Sequence, residues 1–328
     1  MSLRGAVIRG GEEPDLGIRA SIISRAQFDE VFEACKNWGR WGADDEVGTL
    51  NFISPNDVRG AAKLVRSGVA ITCSWPLDTR PGPDNPRPAV HYMTQTFGAP
   101  IAKSGDVRFL RDYMGVECHG DAHSHVDALC HVSYEDKLYN GLGAQETVAD
   151  DGPTCLSVDA MCSGIISRGV LLDIPRVQRS RWVEPGSAVG VEELLAAEEL
   201  QHVRLRTGDI LLLRTGHARR RLELGPWDSA KSKAGLSVTA MPLLHERKVA
   251  AVGFDGDGEA IPSPCDGISH PIHAIGIGAM GLCFFDSLFL EELAAACEAE
   301  GRWEFFFVVA PLRIVGGTGS PVNPIAVL

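Results

Sequence analysis

Cys118-His119-Gly120-Asp121-Ala122-His123-Ser124-His125-Val126-Asp127-Ala128-Leu129-Cys130-His131 is the stretch on which the reading of this chain turns. Four of the ten histidines fall here, at positions 119, 123, 125 and 131. Neutral imidazole and carboxylate are donors that divalent zinc and manganese accept. His119, Asp121, His123, His125 and Asp127 are all odd-numbered, and alternate side chains of an extended strand share one face. One strand would aim three imidazoles and two carboxylates the same way, whereas a helix would fan them around its axis. Buried without a cation, the set would be a costly group of unpaired polar atoms. Exposed, it would be an incidental polar face. The spacing favours a metal-bearing strand followed by a catalytic histidine, His131.

The 328 residues suffice for one large domain or two closely packed ones, with 45% hydrophobic and 23% charged residues, as in a soluble globular protein. The formal net charge is −12, which repels phosphate backbones and speaks against nucleic acid as a partner. Arg219-Arg220-Arg221 is followed by Glu223 and reads as a solvated helix face or loop. The nine cysteines include no CxxC pair; an odd, scattered set points to a reducing cytoplasm rather than a disulfide framework. Cys118 and Cys130 flank the run, where either could serve as a metal ligand or nucleophile, but both are even-numbered and read rather as small buried residues on the opposite face. Charges run through the first thirty residues, and no apolar stretch approaches the roughly 18 residues that cross a bilayer, so neither a signal peptide nor a membrane span is expected.

Residues 1–25 read as an extended arm and 26–328 as a single domain. Ser24 to Lys36 has helical spacing, and Ser54-Pro55-Asn56 opens a second helix through Val65, with Ser54 as N-cap and Pro55 in the first turn. Val69–Trp75, Gly169–Ile174, Asp209–Arg214, Val249–Asp255 and Phe305–Val315 read as buried strands, and Val191–Val203 and Leu288–Glu300 as helices. The mixture predicts an α/β domain around a mixed sheet or partly closed barrel. Gly276-Ile277-Gly278-Ala279-Met280-Gly281 matches GxGxxG literally, but it follows Ser269-His270-Pro271-Ile272-His273 rather than a clear strand and is not assigned to a dinucleotide; nor is Gly316–Ser320. Asp255, Asp257 and Glu259 follow a predicted strand; they suit a metal-supporting strand end and a solvated glycine-rich turn equally well. Trp38, Trp41, Trp75, Tyr92 and Phe97 could wall an aromatic pocket, although core packing is the commoner fate of such residues.

His125-Val126-Asp127-Ala128-Leu129-Cys130-His131 resembles the HxDxPxH signature of the metal-dependent cyclase-like hydrolases, the family of bacterial kynurenine formamidase and isatin hydrolase, whose full motif is HxGTHxDxPxH. Trp41 to Asn51 is similar to the WGxxDxxGTLN segment of its longer members, and Pro271-Ile272-His273 with Gly281 and Asp286 resembles its C-terminal ligand region. The resemblance runs from about residue 38 to the end of the chain. It implies the swivelling β/β/α fold, a homo-oligomer, a small-molecule substrate, and one or two Zn2+ or Mn2+ ions. It implies His125 and Asp127 as ligands, His131 as acid/base, His273 as a further ligand and Asp286 where the family usually has Glu. The chain departs from the motif: Asp121 stands at the first His, His123 at the Gly, Ser124 at the Thr and Leu129 at the Pro. Either Asp121 replaces the first His, or a two-residue insertion hands that role to His119, which keeps the same strand face and is preferred. His123 then joins the metal or hydrogen-bonds beside it.

The implied reaction is hydrolysis of a C–N amide bond, formyl or cyclic, in a small aromatic substrate. His131 follows Asp127 by four residues, and its imidazole suits proton transfer. Alternatives within the same fold are lactone hydrolysis, a cyclisation or dehydration, and a non-catalytic metal-binding or small-molecule-binding relative. Ser124 lies in no GxSxG, so a serine nucleophile is not expected.

Overall fold

The structure, a computed structural model, describes residues 22–98 and 107–328. Nine strands pair into one sheet: β1 (Ala70–Thr72), β2 (His125–Asp127), β3 (Ile165–Asp173), β4 (Ile210–Arg214), β5 (Ala251–Phe254), β6 (Cys283–Asp286), β7 (Glu304–Val309), β8 (Gly319–Pro321) and β9 (Ile325–Val327). Their order is β1-β9-β7-β3-β4-β5-β6-β2-β8. The central strands β3 to β6 are parallel, and every other pairing is antiparallel. The sheet curls into a half-barrel, with β1 and β8 at its edges among the described residues, so the expected mixed, partly closed sheet is found.

The parallel strands are apolar on both faces. Leu171, Leu211, Val252 and Phe284 are completely buried, as helices on each side of a parallel sheet require. Each such side chain contributes about 1.5–3 kcal/mol by leaving water. Helix α1 (Arg25–Ala34) starts where Ser24 and Gln27 form a capping box and buries Phe28 and Phe32; α2 (Pro55–Ala62) has the matching box from Ser54 and Asp57. Helices over Val191–Leu200 and Glu291–Glu300 lie within the predicted ranges. The strand expected to reach Val315 stops at Val309, just before Pro311, which has no N–H for a ladder. Of the expected arm, residues 1–21 lie outside the described residues; Ile23 is already bridged to Cys265.

The histidine-rich stretch is corrected in one respect. Only His125–Asp127 is a strand, because β6 and β8 flank it there and nowhere further back. Residues 119–123 are bends and turns, with Gly120 at φ 143°, a backbone conformation that L side chains rarely adopt. The common-face argument therefore holds for His125 and Asp127 and fails for Asp121 and His123.

The Arg219–Arg221 run lies on the helix His217–Leu224 and is tied to the protein: Arg219 pairs with Glu223, Arg220 lies over Trp227 and Arg221 pairs with Asp84. No helix among the described residues is long and apolar enough to cross a membrane.

Candidate metal centre

Register builds the centre. His125 and Asp127 point to one face of β2, with the fully buried Val126 on the other. In the antiparallel β2–β6 pair, His125 lies directly opposite Asp286, so the two side chains are neighbours on that face. His273 arrives from a short helical turn, Pro271–His273, that continues into a π-helix over Ala274–Met280. Gly276 lets this helix sit close on β6: a Cβ there would stand 2.3 Å from the Phe284 ring. The literal GxGxxG is therefore a packing device. His273 Nε2 lies 3.5 Å from Asp286 Oδ2 and 3.8 Å from Asp127 Oδ2.

His119 reaches the same place through the turn at Gly120. Its Nδ1 is 2.9 Å from Asp127 Oδ1, yet neither atom has an aligned hydrogen bond. Asp127 Oδ2 and Asp286 Oδ1 are likewise buried without hydrogen-bond partners among the described residues. Two groups of donor atoms converge within reach of a single ion: His119, Asp127 and His131, and His125, Asp127 and Asp286. Asp127 belongs to both. Orphaned buried carboxylate oxygens facing imidazoles are what a divalent cation would satisfy, so the residues present fit a metal.

The supporting bonds set the ring orientations. His125 Nδ1 faces the His123 carbonyl at 2.7 Å, leaving Nε2 toward Asp127 and Asp286. His119 Nε2 meets Thr318 Oγ1 at 3.0 Å, leaving Nδ1 toward Asp127. Glu259 Oε1 accepts the backbone N–H of His273 at 2.8 Å and faces its Nδ1 at 2.9 Å. A carboxylate behind a histidine fixes its tautomer and raises its basicity.

Charge follows from the packing. Burial pushes Asp127 toward neutrality, but the rings of His119, His125, His131 and His273 outweigh it and hold the carboxyl below its ordinary range. Burial wins at Asp286, whose pKa rises to about 6. Burial also disfavours charge on His273, but Asp286 and Glu259 reverse the sign and raise it well above an ordinary histidine. His131 is pulled down to about 4, chiefly by burial. Its ring stacks on His119 with centroids 3.7 Å apart and planes 3° from parallel.

These groups floor a cleft of about 580 Å³, whose walls include Val132, Tyr134, Ile268, Asp257 and His270, a size that suits a small molecule. Five of the six residues expected as ligands, His119, His125, Asp127, His273 and Asp286, come together there with His131. His123 does not: it is buried over a neighbouring hollow lined by Asp84 and Arg87. Asp121 does not either, because its carboxylate takes the Lys233 ammonium at 2.7 Å. Of the two candidates for the first ligand position, His119 is the one at the cluster. The tryptophans lie elsewhere: Trp38 packs on Phe32, Trp41 on Phe52 and Trp75 on Phe289. Tyr92 stacks on Tyr113, and Phe97 is exposed. Cys118 and Cys130 have thiols raised by burial to about 11 and about 12 and belong to neither donor group. Of the acidic trio, Asp255 accepts the backbone N–H groups of Thr215, Gly216 and His217, while Asp257 and Glu259 serve the cleft. Thr318 and Lys233 escaped the sequence reading; the glycine-rich tail around Thr318 was the one visible signal.

A family model described as “Putative cyclase” matches residues 62–258. A solved structure described as a novel cyclase is 33% identical, covers 90% of this chain and 99% of its own, and superposes with a TM-score of 0.82. An isatin hydrolase bound to the product analogue thioisatinate is 17% identical, with 84% and 99% coverage and a TM-score of 0.53. Isatin hydrolase A from Ralstonia solanacearum is 20% identical, with 83% and 95% coverage and a TM-score of 0.54. At these lower identities the likeness is one of fold. No curated protein matches the chain.

Proposed function

The chain belongs to the cyclase family, and on that premise we propose that it is a metal-dependent hydrolase that opens a C–N amide bond, formyl or cyclic, of a small aromatic substrate. The observation that carries this reading is the set of orphaned carboxylate oxygens of Asp127 and Asp286 among imidazoles on the floor of a cleft. His119, His125, Asp127, His273 and Asp286 would hold one or two ions, zinc or manganese, both of which accept these donors. When bound, such an ion acidifies water and polarises a carbonyl.

The chain's own groups do the rest. His131, which lines the cleft, accepts a proton there and can return it to a leaving nitrogen. Tyr134 and Ile268 contribute apolar surface to the wall of the cleft. The isatin hydrolases with this fold are named for a cyclic aromatic amide, which supports that substrate class here. Nine free cysteines fit a reducing, cytoplasmic setting. A homo-oligomer fits the ribbon formed by Val90–Gln95 and Arg111–Gly115, which leaves Val90, Tyr92, Met93, Tyr113 and Met114 about half exposed.

The test is metal analysis followed by turnover of N-formyl amides, cyclic imides, isatin and lactones. We expect hydrolysis of an amide, abolished by chelator and restored by Zn2+ or Mn2+. Turnover of lactones alone moves the chemistry to C–O bonds, and metal binding without any turnover leaves a binding protein; either result overturns the amide reading.

A further inference from the structure

Two loops bring ligands to the centre, one carrying His119 and the other supporting His273, and a single buried side chain joins them. Lys233 is 4% exposed. Its ammonium donates to Asp121 Oδ1 at 2.7 Å and to Asp257 Oδ2. Asp121 lies two residues from His119, at the position where the cyclase-like motif would place its first histidine. Asp257 lines the cleft, and its other oxygen, Oδ1, accepts the N–H of Glu259 at 3.1 Å. Glu259 is fully buried and spends Oε1 on the N–H and Nδ1 of His273. The backbone of Lys233 is equally constrained: its N–H donates to the Ile261 carbonyl at 3.0 Å and its carbonyl accepts from the Ile261 N–H at 2.9 Å. Lys233 is thus fixed by its main chain to the far end of the loop whose near end its side chain grips.

We infer that Lys233 is a positioning residue for the metal centre: a cationic strut that holds the Asp121 turn against Asp257 and, through Asp257 and Glu259, aims His273. An ammonium suits this place because two carboxylates converge on it, and without the cation they would repel each other across the wall of the cleft. It also accounts for Asp121. A carboxylate held by a buried lysine is not available to a metal ion, so the histidine that reaches the centre comes from two residues earlier.

The inference rests on the metal-dependent reading above, and a substrate-free experiment separates the two. Chelator-treated protein is titrated with Zn2+ by calorimetry as the wild type, Lys233→Met, His273→Ala and the double variant, with folding checked by circular dichroism. We expect Lys233→Met to weaken binding about 10–100-fold, the usual cost of losing a group that orients a ligand. The double variant should bind more tightly than the product of the two single losses predicts, because part of the Lys233 effect runs through His273. Wild-type affinity in Lys233→Met, or two losses that multiply in full, overturns the strut. If Lys233→Met does not fold, Asp257→Asn takes its place with the same two outcomes. A wild type that binds neither Zn2+ nor Mn2+ overturns the functional reading as well, whereas binding that is unchanged by Lys233→Met overturns only the strut.

Discussion

The segment from His119 to His131 and the segment from Asp255 to Asp286 supply the same centre by opposite routes. The first delivers its groups locally: a three-residue strand aims His125 and Asp127, the preceding turn returns His119, and the following turn brings His131. The second delivers groups far apart in sequence. Asp286 ends a central strand, His273 sits on a helical turn, and Glu259 stands 14 residues before the histidine it holds. Local delivery leaves a pattern in the sequence. Distant delivery depends on strand register and on a helix packed closely through Gly276.

The contrast can be broken most severely at Asp127, the residue shared by both donor groups. Asp127→Ala should lose metal altogether, measured as metal per chain after dialysis; undiminished content would show that the two groups do not share a ligand. Next is His131, whose ring lies within reach of His119 and Asp127. His131→Ala should keep its metal and lose about 10²–10⁴-fold in turnover; loss of metal instead would make it a ligand. Glu259→Gln tests the distant segment and should weaken metal binding about 10–100-fold. An unchanged titration would mean that His273 orients itself.

A smaller effect concerns pH. In the folded chain desolvation pulls the His131 pKa down to about 4, whereas an unfolded histidine titrates near 6.5. Between those values the unfolded chain binds the proton and the folded chain does not. The contribution of His131 to stability is therefore fully present above pH 6.5 and is lost as pH falls toward 4. In metal-free protein, His131→Gln should flatten the fall of the urea midpoint over that range; an identical slope would mean that the ring is not held neutral. The smallest effect is expected at His123, which the structure turns toward Asp84 and Arg87. His123→Ala should bind metal within about 3-fold of the wild type, and a larger loss would restore it as a ligand.

The helical spacing after Ser24, the Ser54 N-cap and the apolar runs of β3 to β5 were legible because amphipathic helices, helix caps and buried parallel strands leave local signals; the capping-box partners Gln27 and Asp57 were seen only in the structure. The odd-numbered pattern was legible only where it lies on a strand. His125 and Asp127 share a face because both neighbours of β2 hold it extended. Three residues earlier there is no ladder, and side-chain direction follows the turns instead. The acidic trio looked uniform in sequence, yet its members divide among three tasks: Asp255 ties down backbone N–H groups, Asp257 meets Lys233 and Glu259 holds His273.

By itself, the sequence determined the mixed α/β class, the strand that bears His125 and Asp127, and the kinship carried by the spacing of those residues with His131. Those properties reside in neighbouring residues, where pleat, cap and hydrophobic run act over a few positions. Only the tertiary structure decided that His119 and not Asp121 reaches the centre, that His123 leaves it, and that Glu259 and Lys233 brace its distant half. Each of those outcomes depends on which loops a curled sheet brings face to face, and on which buried charge finds its counter-ion first.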